Sequence, residues 1–291
     1  MQTSLTEAEI QGLVPPQLTA YQPEPVDGTL GVSLPLLQWK AGTTAVLHNV
    51  YLGTSPELTE ADLVGARLAM PMYYHTPGLQ PGMTYYWRVD ETVAVGPARP
   101  GPVWSFTTFL MIEDFEAYTD DEGSRIYETW VDGWTNNTGS TVGYIQAPFA
   151  ERTIVRGGRQ SMPLDYSNVK APFYSEAERE FAPVRDFTVN GVGMLVLNVR
   201  GKAANGPAKL YLGLEDSSRQ TAQVMCPHPA AVTTAAWTEW EIPLGDFIGV
   251  NVARIRRIYL RVGDKGDSVP GGFGQLYIDD IRVIKTPPVA K

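Results

Sequence analysis

Apolar and polar residues alternate with a period of two along much of the chain, a pattern that favours short β-strands over long helices. Leu36–Ala41, His48–Thr54 and Thr84–Glu91 alternate in this way, and Pro77-Gly78 and Pro81-Gly82 mark turns among them. With Gly101–Thr108, six or seven strands are expected over residues 16–109, enough for one β-sandwich. From residue 110 the strands lengthen: Gly193–Gly201, Ala208–Asp216, Trp237–Leu244, Arg257–Asp264 and Gln275–Ile284. No βαβ spacing separates them, so residues 110–286 are expected to form an antiparallel jelly roll. The expected fold class is therefore all-β, a small sandwich followed by a larger jelly-roll sandwich. Residues 1–15 read as a tail with one short helix. Ser4 and Glu7 have capping-box spacing, and Pro15-Pro16 ends the segment. Residues 287–291 read as a linker.

Composition narrows the function classes. Hydrophobic residues are 43% and charged residues 19% of the 291, so the chain can bury a core. A net charge of −9 argues against nucleic-acid or anionic-membrane partners. No apolar run approaches the ~20 residues of a membrane helix. The first residues, MQTSLTEAEIQGLV, lack the basic start and apolar stretch of a signal peptide, so none is expected in this chain. The lone Cys226 excludes an internal disulfide and a thiolate cluster. There is no G-x-S-x-G elbow, no H-E-x-x-H and no phosphate-cradling glycine loop, so no enzymatic activity is expected.

Residues 16–109 resemble a fibronectin type III domain. Trp39 in an early strand and the run Leu79-Gln80-Pro81-Gly82-Met83-Thr84-Tyr85 carry the resemblance. It implies that Tyr85 is a corner tyrosine whose hydroxyl bonds back to the backbone, and that the domain is a spacer. Trp39, Trp87 and Trp104 read as core.

The larger domain opens with Glu113-Asp114-Phe115-Glu116 and closes with Tyr277-Ile278-Asp279-Asp280-Ile281. First and last strands of a jelly roll often pair, which would bring these acids together. On an extended strand Asp114 and Glu116 point to one side and Phe115 to the other. Together with Asp279 they form an oxygen-only set of the kind Ca²⁺ prefers; the alternative is edge acids paired with arginines. The frame Asp114-Phe115-Glu116, Gly157-Gly158-Arg159-Gln160-Ser161-Met162 and Ile278-Asp279-Asp280 resembles the calcium-stabilised, galactose-binding-like carbohydrate-binding modules. That resemblance implies a structural Ca²⁺ held by Asp114, Glu116, Asp279 and a carbonyl near Gly158 or Arg159. The stretch is also similar to modules that accompany fibronectin-like repeats in large secreted planctomycete-type bacterial proteins.

Sugar recognition stacks flat aromatic rings on apolar pyranose faces, with polar groups at the rim. The candidates are Trp134 beside Asn136, Tyr144, Tyr166, Tyr174 and one of the pair Trp237 and Trp240, with Trp240 carried as the candidate. Arg152, in the arginine cluster ERTIVRGGR, suits an acidic glycan, although pairing with nearby acids is the simpler role. The function expected is non-catalytic polysaccharide or oligosaccharide binding, in an extracellular or cell-surface protein that carries a catalytic domain elsewhere. The alternative is a structural or adhesive surface protein with no glycan ligand.

Overall fold

The computed structural model describes residues 16–286, so the helix expected within residues 1–15 and the linker 287–291 lie outside the described residues. The chain divides into two compact units, Met1–Phe109 and Leu110–Lys291. In both, nearly all the regular secondary structure is strand.

The first unit holds β1 (Tyr21–Glu24), β2 (Thr29–Val32), β3 (Leu36–Lys40), β4 (Ala45–Gly53), β5 (Leu63–Leu68), β6 (Met72–Tyr74), β7 (Thr84–Val93) and β8 (Val103–Thr108). Strands β1-β3-β6 form one sheet and β2-β8-β7-β4-β5 the other, with β2 parallel to β8. Alternation along β7 turns Tyr85, Trp87 and Val89 inward. There Trp87 packs on Trp104 and Trp39, with ring centroids 4.7 and 6.3 Å apart. All three tryptophans are buried. The Tyr85 hydroxyl accepts the Gln80 N–H at 2.9 Å, which holds the preceding corner against the core.

The second unit holds β9 (Leu110–Glu113), β10 (Trp130–Val131), β11 (Ser140–Val142), β12 (Met162–Ser167), β13 (Ser175–Arg185), β14 (Met194–Arg200), β15 (Leu210–Asp216), β16 (Thr221–Met225), β17 (Thr238–Pro243), β18 (Ile255–Val262) and β19 (Phe273–Ile284). One sheet runs β11-β12-β19-β14-β17, with β9 also on β19, and the other runs β10-β13-β18-β15-β16. Every pairing in both sheets is antiparallel. Inward positions such as Leu195, Leu197 and Ile278 meet Leu212, Leu214, Ile258 and Leu260 in one core.

Strand β19 decides where the site-bearing loops meet. β14 lies along one edge of it, so β12 and β9 must share the other. β12 pairs with Phe273–Ile278 and β9 with Ile281–Val283, which leaves Asp279 and Asp280 between the two ladders. Asp280 has φ +50°, and the register against β14 shifts here as well. A bulge at this junction re-aims side chains that strict alternation would have placed elsewhere.

An ion pair between a buried carboxylate and a partly buried guanidinium ties the two sheets together. Glu113 of β9 lies in one sheet, and Arg179 of β13, its side chain facing inward, lies in the other. The Arg179 guanidinium donates to Glu113, and the same carboxylate accepts from Tyr118 Oη (2.7 Å), Trp130 Nε1 (3.2 Å) and the Phe115 N–H (2.9 Å). Burial, then the charge of Arg185, draws Arg179 down to about 10, so it remains a cation at neutral pH. A carboxylate buried as Glu113 is requires partners of this kind.

Candidate functional site

The acids at the two ends of the second unit do converge. They do not sit as strand alternation predicts. β9 ends at Glu113, and Phe115 takes φ +61°, so Asp114–Glu116 form a turn rather than an extended segment. That turn buries Phe115 in the core and sends Glu116 to the loop Arg156–Gln160, just ahead of β12. Glu116 Oε1 accepts the amides of Arg159 (2.7 Å) and Gln160 (3.0 Å), and Oε2 accepts Arg159 Nε (3.2 Å). On the same loop, Asp279 Oδ2 accepts the amides of Arg156 (2.8 Å) and Gly157 (3.2 Å). Two glycines permit this approach. A Cβ at Gly157 would lie 2.6 Å from Asp280 Oδ2, and one at Gly158 would lie 2.3 Å from Glu116 Oε1, at φ +64°.

The electrostatics differ across this clasp. Burial pushes the Asp279 carboxyl up to about 7 against the pull of the Arg156 and Gly157 amides, with Asp280 adding to the rise. Burial also acts to raise Glu116, but the Arg159 and Gln160 amides and the Arg159 guanidinium outweigh it and hold that carboxyl below the usual range. As arranged, the residues do not fit the expected Ca²⁺ cage. All four carboxylate oxygens of Glu116 and Asp279 accept protein N–H groups, the last being Asp279 Oδ1 from the Asp280 amide. The loop turns the Arg159 amide, a donor, toward Glu116, where a calcium ligand would have to be an acceptor. Among the described residues no group of three or more His, Cys, Asp or Glu is placed to hold a metal ion.

Two of the expected sugar-binding residues share a cleft. Trp134 sits on a single helical turn, Gly133–Asn136, capped by Asp132. Asp132 accepts the Trp134 amide (3.0 Å) and the Val142 amide (2.8 Å), and Gly133 N–H donates to Ser140 Oγ (2.9 Å). Asn136 Nδ2 (2.9 Å) and Ser140 Oγ (2.7 Å) both donate to the Glu176 carbonyl, which fastens the turn to β13. Despite this bracing the Trp134 side chain stands 85% exposed. It lines a cleft of about 380 Å³ with Tyr144, Ile145, Thr141, Tyr127 and Phe149, the last two packed edge to face at 5.2 Å. An indole has only two side-chain torsions to fix, so an exposed one on a braced turn is a stacking surface with a modest ordering cost.

The other expected residues lie elsewhere. Tyr166 (2% exposed) and Trp240 (1%) are core side chains, because their strands turn those positions inward; neither offers a ring face to solvent. The Tyr166 hydroxyl donates to the Gly206 carbonyl at 2.6 Å. Asn136 braces the Trp134 turn, so its amide is already committed. Tyr144 lines the cleft but donates its hydroxyl to Glu151. Arg152 pairs with Asp120 at 2.9 Å. Tyr174 stands away from the cleft, beneath Arg261 and Lys265 at 5.9 and 5.7 Å.

Sequence reasoning missed the outer face of the second sheet altogether. Register across β13, β18, β15 and β16 aligns Glu176, Arg261, Tyr211 and Met225 in one row, then Glu178, Tyr259, Gly213 and Gln223, then Glu180, Arg257, Glu215 and Thr221. The Tyr259 ring lies across Gly213, where a Cβ would come within 1.8 Å of it. The sequence signal was present as polar or charged residues at every second position in Glu176-Ala177-Glu178-Arg179-Glu180 and Arg257-Ile258-Tyr259-Leu260-Arg261.

No protein-family model and no curated protein sequence matches the chain. Solved structures similar to it include carbohydrate-binding modules. One comes from work on promiscuous specificity in modules of the β-sandwich superfamily, at 11% identity and TM-score 0.44, spanning 90% of this chain and 96% of that one. A family 11 module from Clostridium thermocellum, in complex with a β-1,3-1,4-mixed-linked tetrasaccharide, has 13% identity and TM-score 0.37 over 61% of this chain and 96% of that one. The family 30 module of the cellulosomal cellulase Cel9D-Cel44B of the same organism has 12% identity and TM-score 0.38 over 62% and 100%. Among the described residues no helix is long and apolar enough to cross a membrane.

Proposed function

We propose that the second unit binds carbohydrate without cleaving it, and that the Trp134 cleft takes a sugar ring. The observation that carries this reading is Trp134 itself, braced by Asp132 and yet 85% exposed over an aromatic-lined cleft. The apolar face of a pyranose covers the indole and removes it from water, while Thr135 and Thr141 line the same cleft as hydroxyl partners for the sugar. Binding of this kind asks for no proton transfer and no metal. The first unit is read as a fibronectin type III-like spacer, and the whole as a segment of an extracellular polysaccharide-degrading protein. The test is affinity gel electrophoresis of the full chain through mixed-linkage β-glucan, xylan and agarose. Retardation by at least one of these, lost or sharply reduced in Trp134→Ala, supports the reading. Absence of retardation in all three, or retardation that Trp134→Ala leaves intact, overturns it.

A further inference from the structure

The Trp134 cleft lies at one end of a row of side chains that crosses β11, β12 and β19. Thr141, which lines the cleft, sits between the buried Ser140 and Val142 and so faces away from the core. Register carries that side across the sheet: Thr141 is opposite Asp165 of β12, and Asp165 is opposite Gln275 of β19. Their strand neighbours Leu164, Tyr166 and Leu276 are buried, which leaves Asp165 and Gln275 on the outer face. Two strand spacings put Thr141 and Gln275 about 10 Å apart.

A second hollow, of about 500 Å³, opens at the far end of this row, and Asp165, Ser167, Lys202, Phe273 and Gln275 are among the residues that line it. Phe273 begins β19 two residues before Gln275 and opposite Ser167, so it shares their face, and its side chain is 65% exposed. Its backbone is nonetheless held, because its carbonyl accepts the Gly206 amide at 2.9 Å. The polar groups between the two hollows are held as well. Gln275 Oε1 accepts from Tyr277 Oη (2.9 Å) and from Lys202 Nζ, and Lys202 lies over the Tyr277 ring at 5.3 Å. A carboxylate has about four acceptor sites, so Asp165 keeps capacity for ligand hydroxyls beyond its contact with Gln275. One exposed aromatic residue is ordinary on a protein surface. Here two stand at the ends of one row, with a hydroxyl, a carboxylate and an amide between them. Apolar platforms joined by hydrogen-bonding groups match a chain of pyranose rings, whose faces are apolar and whose edges carry hydroxyls.

We propose that the Phe273 hollow is a second subsite for the glycan held at Trp134, so that an extended oligosaccharide lies across β11, β12 and β19. The inference rests on the reading of the Trp134 cleft given above and adds to it the length and path of the ligand. A sugar shorter than the row reaches one hollow only. A longer one engages the second without a further loss of translational freedom, and so binds more tightly.

The test is calorimetric titration of the full chain with disaccharides, tetrasaccharides and hexasaccharides of the mixed-linkage β-glucan, xylan and agarose series. In the series that binds, Kd is expected to fall by on the order of tenfold or more from disaccharide to hexasaccharide. Phe273→Ala, an exposed change checked by a thermal melt, should remove that gain and leave the disaccharide Kd within about twofold of wild type. Asp165→Ala, at the middle of the row, should weaken the hexasaccharide in the same direction, and Phe273→Trp should keep the gain with length. Trp134→Ala should weaken every length. If Phe273→Ala and Asp165→Ala leave the hexasaccharide Kd unaltered while Trp134→Ala raises it, this subsite is refuted and the cleft stands. A loss in Phe273→Ala that is equal at all lengths refutes it too. If no sugar binds, or Trp134→Ala changes nothing at any length, the cleft reading fails and takes this one with it.

Discussion

Replacing Trp134 by alanine separates a binding role from a folding role, and the structure sets the size of each. The indole is 85% exposed, and its turn is held through backbone groups and the side chains of Asp132, Asn136 and Ser140, none of which the substitution removes. The loss of folding stability should therefore stay within about 0.5 kcal/mol, as for surface changes generally. For a unit of this size that is at most ~2 °C in melting temperature. Binding is another matter. A tryptophan side chain can bury ~150–250 Å², and stacking on one face covers about half of it. At ~25 cal/mol/Å² the contact contributes about 2–3 kcal/mol, which is roughly 30- to 150-fold in Kd. Affinity electrophoresis over a range of polysaccharide concentrations gives Kd, and a thermal melt on the same samples gives stability. A Kd within about threefold of wild type, or a melting point that falls by well over ~5 °C, would refute the assignment of Trp134 as a binding surface rather than a structural side chain.

Other consequences are open to direct measurement. Glu113→Ala strands Arg179 and leaves Tyr118 Oη and Trp130 Nε1 without their acceptor, at a cost of about 3–5 kcal/mol in a denaturant melt; Arg179→Met in the same chain should recover part of that loss, and strict additivity of the two changes would disprove the coupling. Because N–H groups already occupy the oxygens of Glu116 and Asp279, neither added Ca²⁺ nor EDTA should move the melting temperature, whereas a site that loads only the folded chain would raise it. For Glu151, burial pushes the carboxyl up, but the Tyr144 hydroxyl and the amides of Ile154 and Thr153 outweigh it and bring it down to about 2. Its contribution is then present above the unfolded value of about 4.3 and is lost as pH falls toward 2. Tyr144→Phe should shift acid unfolding to higher pH, and an unshifted midpoint would show that this hydrogen bond does not matter.

The clasp shows how far local sequence carries and where it stops. Acidic residues at both ends of the second unit were legible, and so was a glycine-bearing loop ahead of β12. Their roles were not. The expected geometry placed Asp114 and Glu116 on a strand, whereas Phe115 at φ +61° makes a turn, and the acid that remains on the strand is Glu113, buried against Arg179. The aromatic residues divided in the same way. Trp134 beside Asn136 was legible as a candidate stacking ring, but the burial of Tyr166 and Trp240 was not, because either could have faced outward on its strand.

The sequence by itself determined the strands, their turns and which residues in each strand share a side, because side-chain alternation is a property of neighbours along the chain. Only the tertiary structure decided which of those sides is covered and which charges meet. Glu176 and Arg261, 85 residues apart, become neighbours through the register of β13 on β18. Asp279 receives the Arg156–Gly157 loop, more than 120 residues away, because β12 and β9 divide one edge of β19 and leave a gap between them. Contacts at such separations are fixed by the pairing of whole ladders, and no local pattern encodes them.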